Sequence, residues 1–474
     1  MKRRGLAVLL LCAAAGLVGA QPARLAVPSG PGDAPIGPRE AEPPIVEVLT
    51  FGVGERIFEK YGHAAICLRY HDPRNRPVCF NYGVTSFGDG PILIWRFLRS
   101  AQRFWAEPTA WGEPWAPGHG RPRGMIGFYT WEDRDIWSQR LSLTGEQARA
   151  IETRVWDSLR EDRRYYYYDH FYDNCTTRLR DMIDEVVGGK LRAGSDVTYP
   201  MTFRELGRRG LAELPPLLVL SDFVMGRQLE DTPTLWDAMF HPDVLRRAIE
   251  LRLGAAPRLV YQRRGPPFPV DGPSGRLPML AIGLLFALPL LVARGLSRLV
   301  HRACRGLGLP DWAVPLAGGM SLALGGVCLW IGWTTGAWAV IGLGALLVLG
   351  VIAMSERAAL IFATSHLVLW GVVVYALVAL SSIPGVRWNE VVLVLMPFDL
   401  ALPFLGEARR RRYAQLRIAG LMGVSVLRAA GVLVQPLWVP ILVAFMPLAV
   451  LAFDLPRVLF GERRAGADDA TVGP

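Results

Sequence analysis

The sequence predicts an α+β domain followed by an all-α membrane domain of seven helices. The chain has 474 residues, of which 51% are hydrophobic, and its mean hydropathy of +0.25 is too high for an ordinary soluble protein. The long apolar runs lie in the second half, whereas residues 43–261 mix short alternating runs with capped helical runs. A soluble domain and a membrane domain therefore follow one another along the chain.

The N-terminus predicts export. Basic residues at positions 2–4 precede an apolar core, and small residues follow at 18–20, which is the pattern of a signal peptide over residues 1–20. The same segment also fits an uncleaved membrane anchor. Residues 21–42 are rich in Pro, Gly and Ala without periodicity and predict a flexible leader.

Three strands open the predicted soluble domain. Apolar residues of high β propensity indicate strands at 45–50, 62–70 and 78–84. The second and third strands are joined by a stretch with Asp-Pro and Asn-Arg-Pro turn residues, which predicts an antiparallel hairpin.

Two helices follow the strands. Thr144 and Gln147 have the spacing of a capping box, which opens a helix to about residue 159. A second helix starts near Cys175 and ends at the glycine pair 188–189.

A Pro- and Gly-rich linker over residues 262–277 leads into the predicted membrane domain, residues 278–455, and residues 456–474 form a cytoplasmic tail. Seven apolar runs approach the length that a bilayer crossing needs. They cover roughly 278–293, 312–332, 336–354, 358–380, 389–405, 414–434 and 436–453.

The distribution of basic residues explains the formal net charge of +10 and predicts the topology. The loops on one side carry Arg294, Arg298, Arg302, Arg305, Arg357, Arg409–Arg412, Arg457, Arg463 and Arg464, and those on the other side carry Arg387. Since basic loops stay in the cytoplasm, the soluble domain lies outside and the C-terminus inside. No zinc-finger, RNP or basic-region pattern accompanies the charge, which argues against a nucleic-acid partner.

The soluble domain contains three cysteines, Cys67, Cys79 and Cys175. An odd number in an oxidising compartment leaves one thiol unpaired. Either Cys67 and Cys79 pair across the hairpin and leave Cys175 free, or all three are reduced, partly buried thiols.

Cys175 and His63 are the candidate catalytic residues. A cysteine in the first turn of a helix lies near unpaired N–H groups and a partial positive charge, both of which favour a thiolate. A histidine within reach can accept the thiol proton. Taken alone, each residue is as readily explained as a core residue, but together they have the composition of a nucleophilic acyl-transfer site.

Strand geometry adds Asn81 to this pair. If Cys67 faces Cys79 in the hairpin, Ala65 faces Asn81, which then lies diagonal to His63 on the same face. The amide would orient the imidazole as the third member of a Cys-His-Asn set. A slip of one residue would present Tyr82 instead.

The motifs that hold these residues resemble those of the Lnb-type bacterial lipoprotein N-acyltransferases. The similar segments are Val46–Gly52, Tyr61-Gly62-His63, Asn81-Tyr82-Gly83 and Asn174–Asp181. The order of histidine strand before cysteine helix also resembles the circularly permuted papain-like hydrolases. The resemblance implies a permuted papain-like periplasmic domain over roughly residues 45–260, in a multi-pass protein of the bacterial inner membrane.

The resemblance further implies a reaction without metal or cofactor. Cys175 would take a fatty acyl chain from a membrane phospholipid and pass it to the α-amine of a diacylglyceryl-cysteine lipoprotein, with His63 as base. The tentative substrate-binding residues are Tyr61, Tyr82, Asn174, Asn389 and Glu390.

Two other functions fit the same residues. One is a membrane-tethered cysteine peptidase or amidase that acts on peptidoglycan, and the other is a non-catalytic envelope sensor or binding protein. Within the predicted spans, His366, Asp399 and Arg428 are ionisable, and intramembrane charges are often functional. Asp399 and Arg428 lie on consecutive spans and form either a structural pair or a substrate site.

Overall fold

The computed structural model describes residues 41–55, 59–86, 91–117, 120–214, 218, 221–222, 224–269, 276–310, 312–335, 337–380, 384–386 and 388–455. The predicted signal peptide, nearly all of the leader and the predicted tail lie outside these residues. The chain forms two compact units. The first holds residues 1–221, 227–273 and 381–387, and the second holds 222–226, 274–380 and 388–474.

The first unit is built on one antiparallel sheet of seven strands, in the order β6-β4-β3-β2-β1-β5-β7. The strands are β1 Ile45–Phe51, β2 His63–Arg69, β3 Val78–Val84, β4 Arg103–Ala110, β5 Ile136–Arg140, β6 Tyr165–Tyr167 and β7 Arg258–Tyr261. The three strands predicted from the sequence are confirmed as β1, β2 and β3.

The predicted register of the β2–β3 hairpin is also confirmed. Cys67 lies opposite Cys79, and Ala65 lies opposite Asn81. The two cysteines form a disulfide in the buried core, and Cys175 is a free, buried thiol. Of the two alternatives for these cysteines, the structure therefore has the first.

Helices cover both faces of the sheet. In the first unit the described α-helices are α1 Pro91–Leu98, α2 Gly124–Trp131, α3 Gly145–Asp157, α4 Cys175–Val186, α5 Phe203–Gly210, α6 Leu235–Ala238 and α7 Pro242–Leu253. Helix α2 packs through Met125 and Ile126 against the face that holds Leu49 and the disulfide. On the opposite face, the Phe80 ring meets the Trp156 ring edge-on at 5.0 Å.

Both predicted helix starts are confirmed with their capping interactions. The Thr144 hydroxyl accepts a hydrogen bond from the Gln147 N–H, and the Gln147 side chain accepts one from the Thr144 N–H. The same reciprocal arrangement joins Asn174 and Thr177 at the start of α4. These bonds satisfy N–H groups that a helix start otherwise leaves without partners, and they fix the residue at which each helix begins.

The second unit is helical. Its described α-helices are α8 Arg276–Gly306, α9 Ala313–Thr335, α10 Trp338–Ala353, α11 Glu356–Leu380, α12 Glu407–Ala429 and α13 Trp438–Ala452. Its core includes a cluster of small and branched side chains from α8, α11 and α13. Two 3₁₀ helices, Glu390–Leu393 and Pro397–Phe404, lie between α11 and α12.

The seven predicted spans are not confirmed. Among the described residues, one helical segment, Ala313–Gly332, is long and apolar enough to cross a membrane. A second crossing is added if the bent pair Gly283–Ala293 and Gly295–Gly306 counts as one span. Helices Trp338–Ala353 and Trp438–Ala452 are apolar but shorter.

Two of the predicted spans differ from the structure for identifiable reasons. The segment 389–405 forms 3₁₀ helices in place of a span, with Pro397 and Pro403 inside the second of them, where proline disfavours a regular α-helix. Helix α12 begins seven residues earlier than its predicted span, at Glu407, and so includes the run Arg409–Arg412. A helix with this charge is not an apolar crossing segment.

Candidate active site

Cys175 is the first residue of α4, and hydrogen bonds hold the turn before it. The Asn174 Oδ1 accepts hydrogen bonds from the N–H groups of Thr176 and Thr177, at 2.8 Å and 2.9 Å. The Asn174 Nδ2 donates to two backbone oxygens at 2.9 Å and 3.1 Å. Because all of these bonds lie inside the fold, Asn174 holds the thiol in place at the helix start, and its predicted contact with substrate stays a prediction.

His63 lies at the open end of the β2–β3 hairpin and contacts Asn81. The His63 Nε2 and the Asn81 Oδ1 are 2.6 Å apart, which makes Nε2 the protonated nitrogen since the amide oxygen only accepts. The imidazole is further bordered by the rings of Phe51 and Tyr129, with centroids at 5.9 Å and 6.1 Å. With Nε2 engaged, Nδ1 is the ring nitrogen left to interact with the thiol.

The electrostatics of the site favour a reactive thiol. Burial raises the pKa of the Cys175 thiol, but the charge of His63 and hydrogen bonds from His63, Thr176 and the Ala64 N–H together lower this pKa to about 7. An ordinary cysteine has a pKa of about 8.5. The lowered pKa favours the thiolate near neutral pH, and the thiolate is the form that acts as a nucleophile.

Gly83 leaves space beside the thiol. It has a φ of +95° at an irregularity in the pairing of β3 with β4, a conformation that favours glycine. A Cβ placed on Gly83 would lie 3.8 Å from the Cys175 Cβ, 3.8 Å from the Tyr166 Oη and 4.0 Å from the Tyr168 ring. An atom of the size of a methyl carbon therefore fits between these three side chains.

The two tyrosines predicted to bind substrate are otherwise engaged. The Tyr82 side chain is fully buried on the opposite face of the sheet, where its hydroxyl lies 2.7 Å from the Ser158 Oγ. Tyr61 packs its ring so tightly against Gly210 that a Cβ there would lie 2.5 Å from it. Burial raises the pKa of each tyrosine to about 12. Their contact with substrate stays a prediction that these positions do not favour.

Asn389 and Glu390 belong to the second unit and are buried within it. The Asn389 side chain accepts a hydrogen bond from the Val391 N–H and donates one to the Val224 oxygen, each 2.9 Å long. The Glu390 Oε2 accepts hydrogen bonds from the N–H groups of Val434 and Gln435, both 2.9 Å long. The two side chains hold loops of this unit together, and their predicted role in binding substrate stays a prediction.

The predicted pair of Asp399 with Arg428 is wrong. Asp399 is fully buried and forms a bidentate ion pair with Arg417, at 2.8 Å and 3.0 Å. Arg428 donates to the backbone oxygen of Gln435 at 2.8 Å. Because Asp399 lies on a 3₁₀ helix and not on a straight span, spacing along two ideal helices did not identify its partner. The third ionisable residue of the predicted spans is His366, whose side chain is not among those that the structure describes.

Over the described part of the chain, no group of three or more His, Cys, Asp or Glu side chains has the arrangement to hold a metal ion.

A comparison with protein families gives a match within the first unit. A family model described as the Lnb N-terminal periplasmic domain matches residues 118–209. This segment is therefore similar to an Lnb-type periplasmic domain. The resemblance seen in the sequence motifs is thereby confirmed. The matched segment of the Lnb domain includes Tyr166 and Cys175, whereas His63 and Asn81 precede it. No curated protein and no solved structure matches the chain.

The sequence reasoning missed three residues that border the Cys175 thiol, namely Tyr166, Tyr168 and Gly83. Tyr166 and Tyr168 share one side of β6 and its continuation because strand side chains alternate, so the run of four tyrosines at 165–168 could have indicated them. Gly83 follows Asn81 and Tyr82 within a predicted strand, where a lone glycine often marks a bulge. Both signals are local and need no knowledge of the fold.

Proposed function

We propose that the chain is a thiol-dependent lipoprotein N-acyltransferase that uses membrane phospholipid as acyl donor. The observation that carries the proposal is the hydrogen-bonded set Cys175–His63–Asn81 in a chain that carries an Lnb-type periplasmic domain. A lowered thiol pKa beside an oriented imidazole is the arrangement that nucleophilic acyl transfer requires.

The first step is formation of a thioester. The Cys175 thiolate attacks the ester carbonyl carbon of a phospholipid, and its Sγ forms a bond to that carbon. The tetrahedral intermediate then expels the lysophospholipid alkoxide, which takes the proton held by His63. Asn81 keeps the imidazole in the tautomer and orientation that this transfer needs.

The second step is aminolysis. The uncharged α-amine of a diacylglyceryl-cysteine lipoprotein attacks the thioester carbonyl, and His63 accepts the amine proton as the C–S bond breaks. His63 then gives this proton to the departing thiolate, so the products are an N-acylated lipoprotein and the free Cys175 thiol. A thioester divides the slow aminolysis of an ester into two faster reactions.

A position at the membrane suits both substrates. The Lnb-type domain is periplasmic, and the second unit contains at least one helix with the length and composition of a span. We infer a multi-pass protein of the bacterial inner membrane with a cytoplasmic C-terminus, and a permuted papain-like arrangement of the first unit. The chain order of His63 strand before Cys175 helix supports the latter.

The proposal is tested by intact-mass analysis of the full chain in mixed micelles of phosphatidylethanolamine and detergent. We expect a fatty-acyl adduct on Cys175 that hydroxylamine removes and that Cys175→Ala abolishes. Cys304→Ala is the matched control, because Cys304 is a free thiol of the second unit. A diacylglyceryl lipopeptide with a free α-amine should discharge the adduct by becoming acylated.

Two outcomes contradict the proposal. If the wild-type protein forms no adduct but cleaves peptidoglycan fragments in a Cys175-dependent manner, the protein is a cysteine peptidase or amidase. If it forms the adduct but releases only free fatty acid in the presence of the lipopeptide, it is a lipid hydrolase.

A further inference from the structure

Attack of Cys175 on an ester places a negative charge on the former carbonyl oxygen, and that charge needs hydrogen-bond donors. The first turn of a helix often supplies them as backbone N–H groups. Here the N–H groups of Thr176 and Thr177 are already bonded to the Asn174 Oδ1, at 2.8 Å and 2.9 Å. The Asn174 cap therefore removes two of the donors that a helix start would offer.

The Tyr166 hydroxyl is a donor in the right place. Its residue is 7% exposed, and its Oη has no hydrogen-bond partner in the part of the chain that the structure describes. An unpartnered buried hydroxyl costs about 1–3 kcal/mol. Such a group is retained where a ligand atom completes its hydrogen bonding.

The position of this hydroxyl is fixed by its surroundings. The Arg178 guanidinium lies over the Tyr166 ring, 3.6 Å from its centroid. Asp173 holds that guanidinium with two hydrogen bonds, of 2.7 Å and 2.9 Å. The ring is thus held from one side before any substrate arrives. Little free energy is therefore needed to orient the hydroxyl when the reaction occurs.

The Tyr166 Oη and the nucleophile border the same space. Both the Oη and the Cys175 Cβ lie 3.8 Å from the point where a Cβ on Gly83 would be. The absence of a side chain at this position leaves room beside the thiol for a substrate carbonyl group, which the hydroxyl can reach.

We propose that Tyr166 donates a hydrogen bond to the oxyanion of the tetrahedral intermediates at Cys175. The inference rests on the proposed acyl transfer. As the Sγ–C bond forms, the electron pair of the carbonyl π bond moves to oxygen, and the Tyr166 O–H stabilises the resulting charge. When the intermediate collapses, the carbonyl re-forms, the alkoxide leaves with the proton from His63, and Tyr166 keeps its own proton throughout.

The electrostatic environment supports a donor and not an acid. Burial, together with the nearby charge of Cys175, raises the pKa of Tyr166 well above its ordinary value. The hydroxyl therefore stays protonated near pH 7, where the Cys175 thiolate forms.

Tyr166→Phe tests the assignment with two readouts on the full chain in detergent. The first is the rate of Cys175 acylation by phosphatidylethanolamine, and the second is the rate of Cys175 alkylation by iodoacetamide, which forms no oxyanion. We expect acylation to fall by roughly 10²–10³, the usual effect of removing one oxyanion donor. Alkylation and its pH profile should stay within about twofold of wild type, well below that loss.

Tyr167→Phe is the matched control. Tyr167 is 67% exposed and lies on the other side of β6, so both rates should equal those of wild type. If Tyr166→Phe acylates at the wild-type rate, or if acylation and alkylation fall together, the assignment of Tyr166 is overturned while the thioester mechanism stands. If wild-type protein forms no adduct at all, the proposed function fails and the assignment fails with it.

Discussion

The two ends of the β2–β3 hairpin carry different side-chain pairs on the same face of the sheet. Near the turn, Cys67 and Cys79 lie directly opposite each other and are joined covalently in the core. At the open end, His63 and Asn81 are diagonal neighbours, half-buried and joined by one hydrogen bond. Both ends depend on the same register, because a one-residue slip would separate the two cysteines and turn Asn81 to the opposite face.

Removal of the imidazole should have the largest effect at the open end. In His63→Ala, the rate of Cys175 acylation should fall by roughly 10²–10⁴, as expected for a lost general base. Acylation is measured by rapid quench and intact mass. His71→Ala, in the turn of the same hairpin, is the control and should leave the rate unchanged. Equal rates for His63→Ala and wild type would remove His63 from the mechanism.

The hydrogen bond that His63 donates to Asn81 should contribute less to the acylation rate. Loss of a hydrogen bond to a group that becomes charged costs about 1.5–3 kcal/mol, so Asn81→Ala should slow acylation by roughly 10- to 100-fold. Asn81→Asp keeps an acceptor oxygen for Nε2 and should retain most of the rate. If both variants lose activity equally, Asn81 has a role other than to accept the hydrogen bond from His63.

The pH dependence of thiol reactivity measures the influence of the open end on Cys175. Because the pKa of Cys175 is lowered to about 7, its alkylation by iodoacetamide should rise with pH to a midpoint near 7 and fall about tenfold per unit below it. In His63→Ala the midpoint should rise to about 8.5 or higher, since burial is then opposed only by the hydrogen bonds from Thr176 and the Ala64 N–H. Peptide mass spectrometry reports each cysteine separately. A profile unaffected by His63→Ala would show that the imidazole does not lower this pKa.

Loss of the disulfide near the turn should lower the stability of the fold far more than the rate of Cys175 acylation. The disulfide closes a loop between residues separated by 12 positions, so Cys67→Ala/Cys79→Ala should lower the free energy of unfolding by about 3 kcal/mol. Below the melting transition, acylation should stay within about tenfold of wild type, because β1 and β3 still pair with β2 along its length. Thermal unfolding and acylation at low temperature give the two values, with Cys304→Ala/Cys328→Ala as control. A loss of activity as large as that of His63→Ala would show that the disulfide alone sets the register.

The hairpin is the part of the molecule that sequence predicts best. Its strands are short apolar runs, its turn contains proline and asparagine, and the pairing of Cys67 with Cys79 determines every other pair. The same register placed Asn81 beside His63. The start of α4 was equally predictable, since Asn174 and Thr177 carry their capping signal within four residues.

Sequence does not readily predict contacts between segments that are far apart in the chain or irregular in structure. The partner of Asp399 depends on a 3₁₀ turn that replaces a straight span, and hydropathy does not show that turn. The place of Tyr166 beside Cys175 depends on β6 pairing with β4, a strand whose residues gave no alternating signal. Periodicity describes an element, but it does not say which elements become neighbours.

The short spacing of Cys67 and Cys79 also bears on how the exported chain oxidises. Cys175 is 96 positions beyond Cys79, which is three doublings of the 12-position separation of the native pair. Each doubling of a loop costs about 0.6 kcal/mol of closure entropy, so an unfolded chain favours the native pair over a Cys79–Cys175 bond by about 2 kcal/mol, or roughly 20-fold. Cys175 is thus protected from mispairing by its distance along the chain, before any tertiary structure has formed.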